Sequence, residues 1–416
     1  MGRFVDDLKS LFIAGVGLFG DGFHNISIGL VVPIIGYLYF EDKGGKAPTV
    51  SGDAIKAGLS LGMIVGQLLF GVFSDALGRH KIYSKELIIT IVATLMVVVA
   101  PTNLGHDGIV AWLTVFRIVT GVGIGGDYPL TSSISAERQS ASSRAKLVLT
   151  LRGLPGQLKD FREYFSDFKH ARTLFAVSAA WFLFDIAYYG INLNQSIVLR
   201  EIGYGAGSTP FETLWNTAVG NIIIVLAGYL PAFYVGIFLP DLMGRVRQQL
   251  VFGALAAVLY AIWAGVSDNT STGGLMTIFA ISQFVLNVGP NCTRFLLPVE
   301  VFPTRVRATA HGIAAASGKA GAVITAFAFG SIRDRIGISG VLGLFSGIMA
   351  LLVLVTLWIP ETRNVSIAQI EKGLLGEAGN SIFDESRSDE TAISSADSVQ
   401  KSGKGIHDSN TEVHGA

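Results

Sequence analysis

Five apolar stretches of this sequence hold residues that could do chemistry. "GLFGDGFHNISIG" places Asp21, with His24 three residues on, between flanking glycines. "GVGIGGDYPL" (121–130) carries Asp127, Tyr128 and Pro129, ten residues after Arg117. "SAAWFLFDIAYYGINLNQS" sets Trp181, Asp185 and Tyr189 at i, i+4 and i+8, which stacks them on one helix face. "ISQFVLNVGPNCTRFLLPVE" aligns Gln283, Asn287 and Asn291, with Arg294 close by. Lys319 lies in "AAASGKAGA", where small neighbours let a helix pack closely around the ammonium.

Each of these groups is expensive in lipid. A charge at mid-membrane costs about 2.5–3.5 kcal/mol on insertion scales, so an ionisable group there is a functional hypothesis by default. Asp21 reads as a proton carrier or as a structural acid bonded to a neighbouring helix. Arg117 and Asp127, ten residues apart, are separated by about 15 Å of helix and do not pair directly. A Tyr128 hydroxyl beside Asp127 offers an anion a donor, and Lys319 favours an anionic substrate or a carboxylate partner. Gly289 and Pro290 break the helical ladder and free a carbonyl. Arg294 is expected to snorkel towards the interface rather than to touch a ligand, and Cys292 to pack.

The elements that must position these groups are membrane helices. Half of the 416 residues are hydrophobic and only 15% are charged, against about 25% in a soluble domain. A formal net charge of zero excludes the basic footprint of a nucleic-acid binder. One cysteine excludes an intramolecular disulfide and a cysteine-rich metal site, and no cofactor is implied. The start is neither a signal peptide nor a myristoylation site. Gly121, Gly123 and Gly126 have dinucleotide-motif spacing, but no strand precedes them and no soluble βαβ unit surrounds them. Glycines at 58, 62 and 66 form a small-xxx-small packing stripe.

At roughly 20 residues per crossing, ten spans are expected, near 11–39, 56–76, 86–104, 109–134, 173–194, 215–239, 249–267, 274–298, 308–330 and 338–359. Basic segments at 78–85, 138–172, 244–247 and 304–307 put both termini in the cytoplasm, with "RDRIG" (333–337) as the dissenting loop. The fold class is all-α and polytopic, lying in the lipid bilayer. It divides into a four-helix half (1–137), a central cytoplasmic loop (138–172), a six-helix half (173–360) and a cytoplasmic tail (361–416). The tail is too polar to order from about residue 376.

One loop pattern occurs twice. "GVFSDALGRHK" carries Asp75, Gly78 and Arg79, and "FLPDLMGRVRQ" carries Asp241, Gly244 and Arg245. Both read DxxGR between a span and a basic turn, which suggests two homologous halves. With Gly71, the first copy resembles the GxxxDxxGR loop of the major facilitator superfamily, whose Asp and Arg bridge neighbouring helices and help latch one access state. The family pattern is six helices plus six, so this chain reads as lacking family helices five and six.

"GGDYPLTSSISAE", the Trp181–Tyr189 stretch, "GNIIIVLAGYLPAFY", "NVGPNCTRFLLPVEVFPTRVRATAHG" and "SGKAGA" resemble the phosphate:proton symporters of that superfamily, of the fungal high-affinity type. The resemblance implies a major facilitator fold and plasma-membrane import of inorganic phosphate with protons, as a secondary transporter and not an enzyme. It implies phosphate contacts from Tyr128, Trp181, Asp185, Tyr189 and Asn291. Asp21, Asp127 and Asp185 become proton-coupling sites, with Arg117 and Lys319 as electrostatic partners and Asp75, Arg79, Asp241 and Arg245 as gating residues. Three departures stand out. The family's helix-five glutamine has no counterpart, His24 replaces an acid, and Arg294 stands where small polar residues are usual. A non-transporting relative, such as a phosphate sensor, and a transporter of another organic phosphate anion are the alternatives.

Overall fold

The computed structural model describes residues 20, 22–45, 47–78, 82, 85–101, 103–138 (side chains to 131) and 153–363. Asp21, Arg79 and the tail from residue 364 lie outside the described residues. The elements are α1 (Ile28–Tyr39), α2 (Thr49–Leu77), α3 (Lys85–Val98), α4 (Gly105–Arg138), α5 (Gly153–Tyr164), α6 (Phe168–Asn192) and α7 (Gln195–Glu201). They continue as α8 (Pro210–Ile224), α9 (Leu230–Met243), α10 (Arg245–Val266), α11 (Thr272–Val288), α12 (Pro290–Val301) and α13 (Arg307–Thr356). Among the described residues, seven stretches are long and apolar enough to cross a membrane. Among the described residues no strand occurs, as expected of a chain that must satisfy its backbone inside lipid.

Local chemistry explains where the helices join and break. α8 and α9 form one crossing interrupted by a π-helical turn, Val225–Tyr229, where Gly228 lets the helix lie against the Ala280 carbonyl of α11. Gly289 is non-helical (φ −95°, ψ −103°) and separates α11 from α12 before Pro290, as the sequence anticipates. α13 is two helices joined at a kink: Gly337, at φ 69° and ψ 177°, leaves helical geometry, so the turn expected at 333–337 narrows to that residue. A glycine at that dihedral redirects the chain without spending loop residues. The segment 138–172 is not all loop, because α5 lies within it and α6 starts at Phe168.

The dinucleotide-like glycines are packing surfaces. A methyl at Gly62 would strike the Ile118 carbonyl of α4, and one at Gly66 the Val122 carbonyl. Reciprocally, Gly121 lies on Leu59 and Gly62 of α2, and Gly125 on Met63. Gly123 and Gly126 face Glu86, Thr90 and Phe70, so α4 is pressed between α2 and α3. In lipid, such small-residue contacts let backbones approach where apolar burial alone gives no drive.

The two halves meet mainly through α2 and α13. Gly71 of α2 lies on Ala308 and Gly312 of α13.

Candidate functional site

A buried charge cluster occupies the centre of α6, α12 and α13. Asp185 is fully buried. Lys319 Nζ donates to Asp185 Oδ2 at 2.9 Å and to the Tyr189 hydroxyl at 2.8 Å. Arg294 donates to Asp185 Oδ1. Arg294 thus does not snorkel: its guanidinium lies inside the protein, 4.5 Å from the Phe184 ring centroid and 5.5 Å from that of Trp181. The physical reason is the unshielded carboxylate one helix away, whose burial costs more than extending Arg294 to the interface recovers. Of the two roles the sequence leaves open to Lys319, the structure shows the carboxylate partner.

The site spans both halves. Tyr128 of α4 packs tilted against Phe295 of α12 (5.1 Å between centroids), and Lys319 Nζ lies 5.9 Å from the Tyr128 ring. Phe295 in turn meets Trp181 edge-on at 5.1 Å. Tyr128, Trp181, Asp185 and Tyr189 therefore converge. The cluster holds two cations and one carboxylate.

Asn291 belongs to a neighbouring polar network. Its Nδ2 donates to Asn287 Oδ1 at 2.6 Å, and Asn287 donates to the Gln283 carbonyl at 2.7 Å. Asn192 donates to Gln283 Oε1 at 3.4 Å and accepts from Tyr229. Arg294 lies 5.7 Å from the Tyr188 ring, which connects the two groups.

Arg117 and Asp127 stand apart from the cluster and from each other. Arg117 donates to the backbone carbonyls of Ile55 (2.9 Å) and His24 (3.3 Å), which ties α4 to α2 and to the chain before α1. Asp127 accepts from Thr131 at 2.5 Å. His24 lies 3.3 Å from the Thr94 hydroxyl.

Contacts between the halves close both ends of α2. Near its C-terminus, Asp75 accepts from the Thr309 backbone N–H (2.7 Å) and hydroxyl (2.8 Å). Gln157 of α5 adds a bond to the Arg305 carbonyl at 3.0 Å. Near its N-terminus, Lys56 donates to Asn194 Oδ1 at 2.8 Å, with Asp53 3.7 Å away. Ser196 donates to the Gly29 carbonyl at 2.5 Å. Nineteen residues of helix, about 28 Å, separate the two contacts. In the second DxxGR loop, Arg245 pairs with Asp241 (3.1 Å) and Glu300 (2.9 Å). The carboxylate of Glu361 accepts from the backbone N–H groups of Arg245 (2.9 Å) and Val246 (3.1 Å) at the start of α10, where the helix dipole favours an anion.

Sequence reasoning missed Lys56 and His311. Lys56 is flanked by an acid near a span end and reads as an interface residue. His311 is a lone histidine among alanines, just after a basic turn.

A bundle of long apolar helices in two halves, with a buried charge cluster in the second half that meets Tyr128 of the first and no strand among the described residues, is the architecture of a multi-span membrane transporter. Its fold is that of the major facilitator superfamily. A solved proton:xylose symporter of that superfamily superposes with a TM-score of 0.58 at 16% identity, covering 88% of this chain and 98% of that one. The inward-open xylose transporter from E. coli gives 0.54 at 15%, covering 87% and 99%. The chain belongs to the Sugar (and other) transporter family, which it matches over residues 11–153 and 207–374.

Among curated proteins it is similar to a putative inorganic phosphate transporter of Schizosaccharomyces pombe, 30% identical over 504 residues, covering 88% of each chain. The inorganic phosphate transporter PHO84 of Saccharomyces cerevisiae is 29% identical, covering 88% of this chain and 84% of that one. The repressible high-affinity phosphate permease of Neurospora crassa is 29% identical, covering 87% and 86%. The 504-residue alignment is longer than this 416-residue chain, so the S. pombe relative carries internal segments that this chain does not.

Proposed function

We propose that this chain imports inorganic phosphate together with protons across the plasma membrane by alternating access, with both termini cytoplasmic. The observation that carries the reading is Asp185 held between Lys319 and Arg294, in a chain whose curated relatives are named inorganic phosphate transporters.

The chemistry follows from charge. Phosphate and the Asp185 carboxylate compete for the same two cations. Protonating Asp185 releases Lys319 and Arg294, which then hold the anion with Tyr128, Trp181, Tyr189 and the nearby Asn291. Proton and phosphate therefore bind together and leave together. Asp127, and Asp21 in the first span, carry the proton to and from this site. The Asp75–Thr309 contact closes the cytoplasmic end and the Lys56–Asn194 contact the outer end, and transport breaks one at a time.

A non-transporting relative is the second reading. What favours it is that the described residues before α5 supply four helices, α1 to α4, of which α2 and α4 are long and apolar enough to cross a membrane, and the S. pombe relative has residues that this chain lacks. On this reading family helices five and six are absent and one wall of the path is open.

Uptake of labelled phosphate at acid and neutral pH, in cells lacking their own transporter, separates the two. Faster uptake at acid pH supports the symporter. A chain present at the surface with no uptake above background supports the second reading. Competition by glycerophosphodiesters tests whether another phosphate anion is the substrate.

A further inference from the structure

His311 is fully buried in α13, and neither of its ring nitrogens has a hydrogen-bond partner in the protein. It meets Trp181 edge-on, with centroids 5.4 Å apart and planes at 88°. The Trp181 indole Nε1 is also buried without a partner. Gly318, seven residues beyond His311 and so on the same face of α13, lies against the Cδ1–Nε1 edge of that indole. Phe295 completes the enclosure, 6.4 Å from the imidazole and 5.1 Å from the indole. One donor of Trp181 and both functions of His311 are thus buried without a partner in the protein beside the Asp185–Lys319–Arg294 cluster.

Leaving a buried polar group unpaired costs about 1–3 kcal/mol, so buried groups are paired in nearly all proteins and each exception needs a reason. A phenylalanine would fill the same space without that cost. Three unsatisfied functions in one place are what a ligand site presents before the ligand arrives.

We propose that His311 and the Trp181 indole N–H form a hydrogen-bonding station for a protonated tetrahedral oxyanion, and that His311 selects for the proton on it. The inference rests on the phosphate reading and deepens it. A neutral imidazole has one donor and one acceptor. Its N–H and the indole N–H donate to two anionic oxygens, and its bare nitrogen accepts from a P–OH. Both ionic forms of phosphate present near neutral pH keep a P–OH; sulfate has none and leaves the acceptor unpaired. Sites that hydrogen-bond a substrate hydroxyl reject analogues lacking it for this reason. The station lies between the charge cluster and Thr309, two residues from His311, on the route towards the Asp75 contact.

The test measures binding of inorganic phosphate and sulfate by the purified full chain, together with its melting temperature. His311→Phe is expected to weaken phosphate binding at least tenfold, to leave sulfate binding nearly unchanged, and to raise the melting temperature because the unpaired nitrogens are gone. His311→Gln, which keeps a donor and an acceptor, should recover part of the phosphate affinity. A His311→Phe protein that folds and keeps both its phosphate affinity and its phosphate-to-sulfate ratio overturns the inference while the phosphate reading stands. If His311→Phe does not fold, the comparison passes to His311→Leu, which also removes the acceptor, and an unchanged phosphate-to-sulfate ratio in a His311→Leu protein, or phosphate affinity unchanged in both it and Trp181→Phe, overturns it. Failure of the unaltered chain to bind phosphate overturns the phosphate reading and this inference with it.

Discussion

Arg294 of α12 and Asp185 of α6 form an ion pair in the interior of the helix bundle, and Lys319 holds the other carboxylate oxygen. The three charges are not equivalent. Removing Arg294 or Lys319 leaves one balanced pair, whereas removing Asp185 leaves two buried cations without an anion. Stripping one partner from a buried pair costs about 3–5 kcal/mol. Asp185→Asn should therefore lower the melting temperature in detergent more than Arg294→Met or Lys319→Met does. Equal losses in all three would mean that the cluster is solvated.

The same arithmetic gives a pH dependence. If Asp185 protonation frees the cations, phosphate binding to the unaltered chain tightens as pH falls. Asp185→Asn mimics the protonated acid, so its phosphate affinity should be nearly flat with pH and, at neutral pH, higher than that of the unaltered chain. Proton-coupled uptake should be lost. An Asp185→Asn variant that still couples uptake to protons rules out this acid as the coupling site.

Gly62 and Gly66 offer a test of helix contact. Valine at either would drive side-chain carbon into an α4 carbonyl, and overpacking of this kind costs typically about 1–3 kcal/mol. Loss of a monodisperse peak in size-exclusion chromatography is the expected outcome. By contrast, Gly347 of α13 has nothing within 4 Å of a built Cβ. Gly347→Ala should be neutral or stabilising by up to about 1 kcal/mol.

The closed ends can be probed with a reporter cysteine. Ser74 is 1% exposed beside the Asp75 contact. In a Cys292→Ala background, Ser74→Cys should react slowly with a membrane-permeant maleimide. Asp75→Ala removes both bonds to Thr309 and should speed that reaction several-fold. Adding Lys56→Met, which releases the opposite end, should slow it again. Independent, additive effects would mean that the ends are not coupled.

Much of this arrangement is legible in the sequence because lipid makes polar residues conspicuous. Asp185, Tyr189 and Lys319 stand out by cost and spacing, and the break at Gly289 by chemistry. The position of Arg294 near the end of a span fits snorkelling equally well, and only the fold shows that Asp185 faces it. His311 went unread for a different reason. An imidazole among alanines has no periodic signature, and its missing partners become visible only when every neighbour is in place. The turn between the last two expected spans is legible in the charged residues at 333–335, and the structure narrows it to Gly337.

The meshed glycines of α2 and α4 make these two helices a two-ply beam. A beam cannot flex at one end and stay still at the other. The Asp75 contact and the Lys56 contact sit on the same ply, so force released at one reaches the other as rotation about the middle. There, Tyr128 on the second ply touches the charge cluster across the gap. The glycine run that resembles a nucleotide cradle is thus the stiffening of a lever, and the residues proposed to hold phosphate sit at its fulcrum.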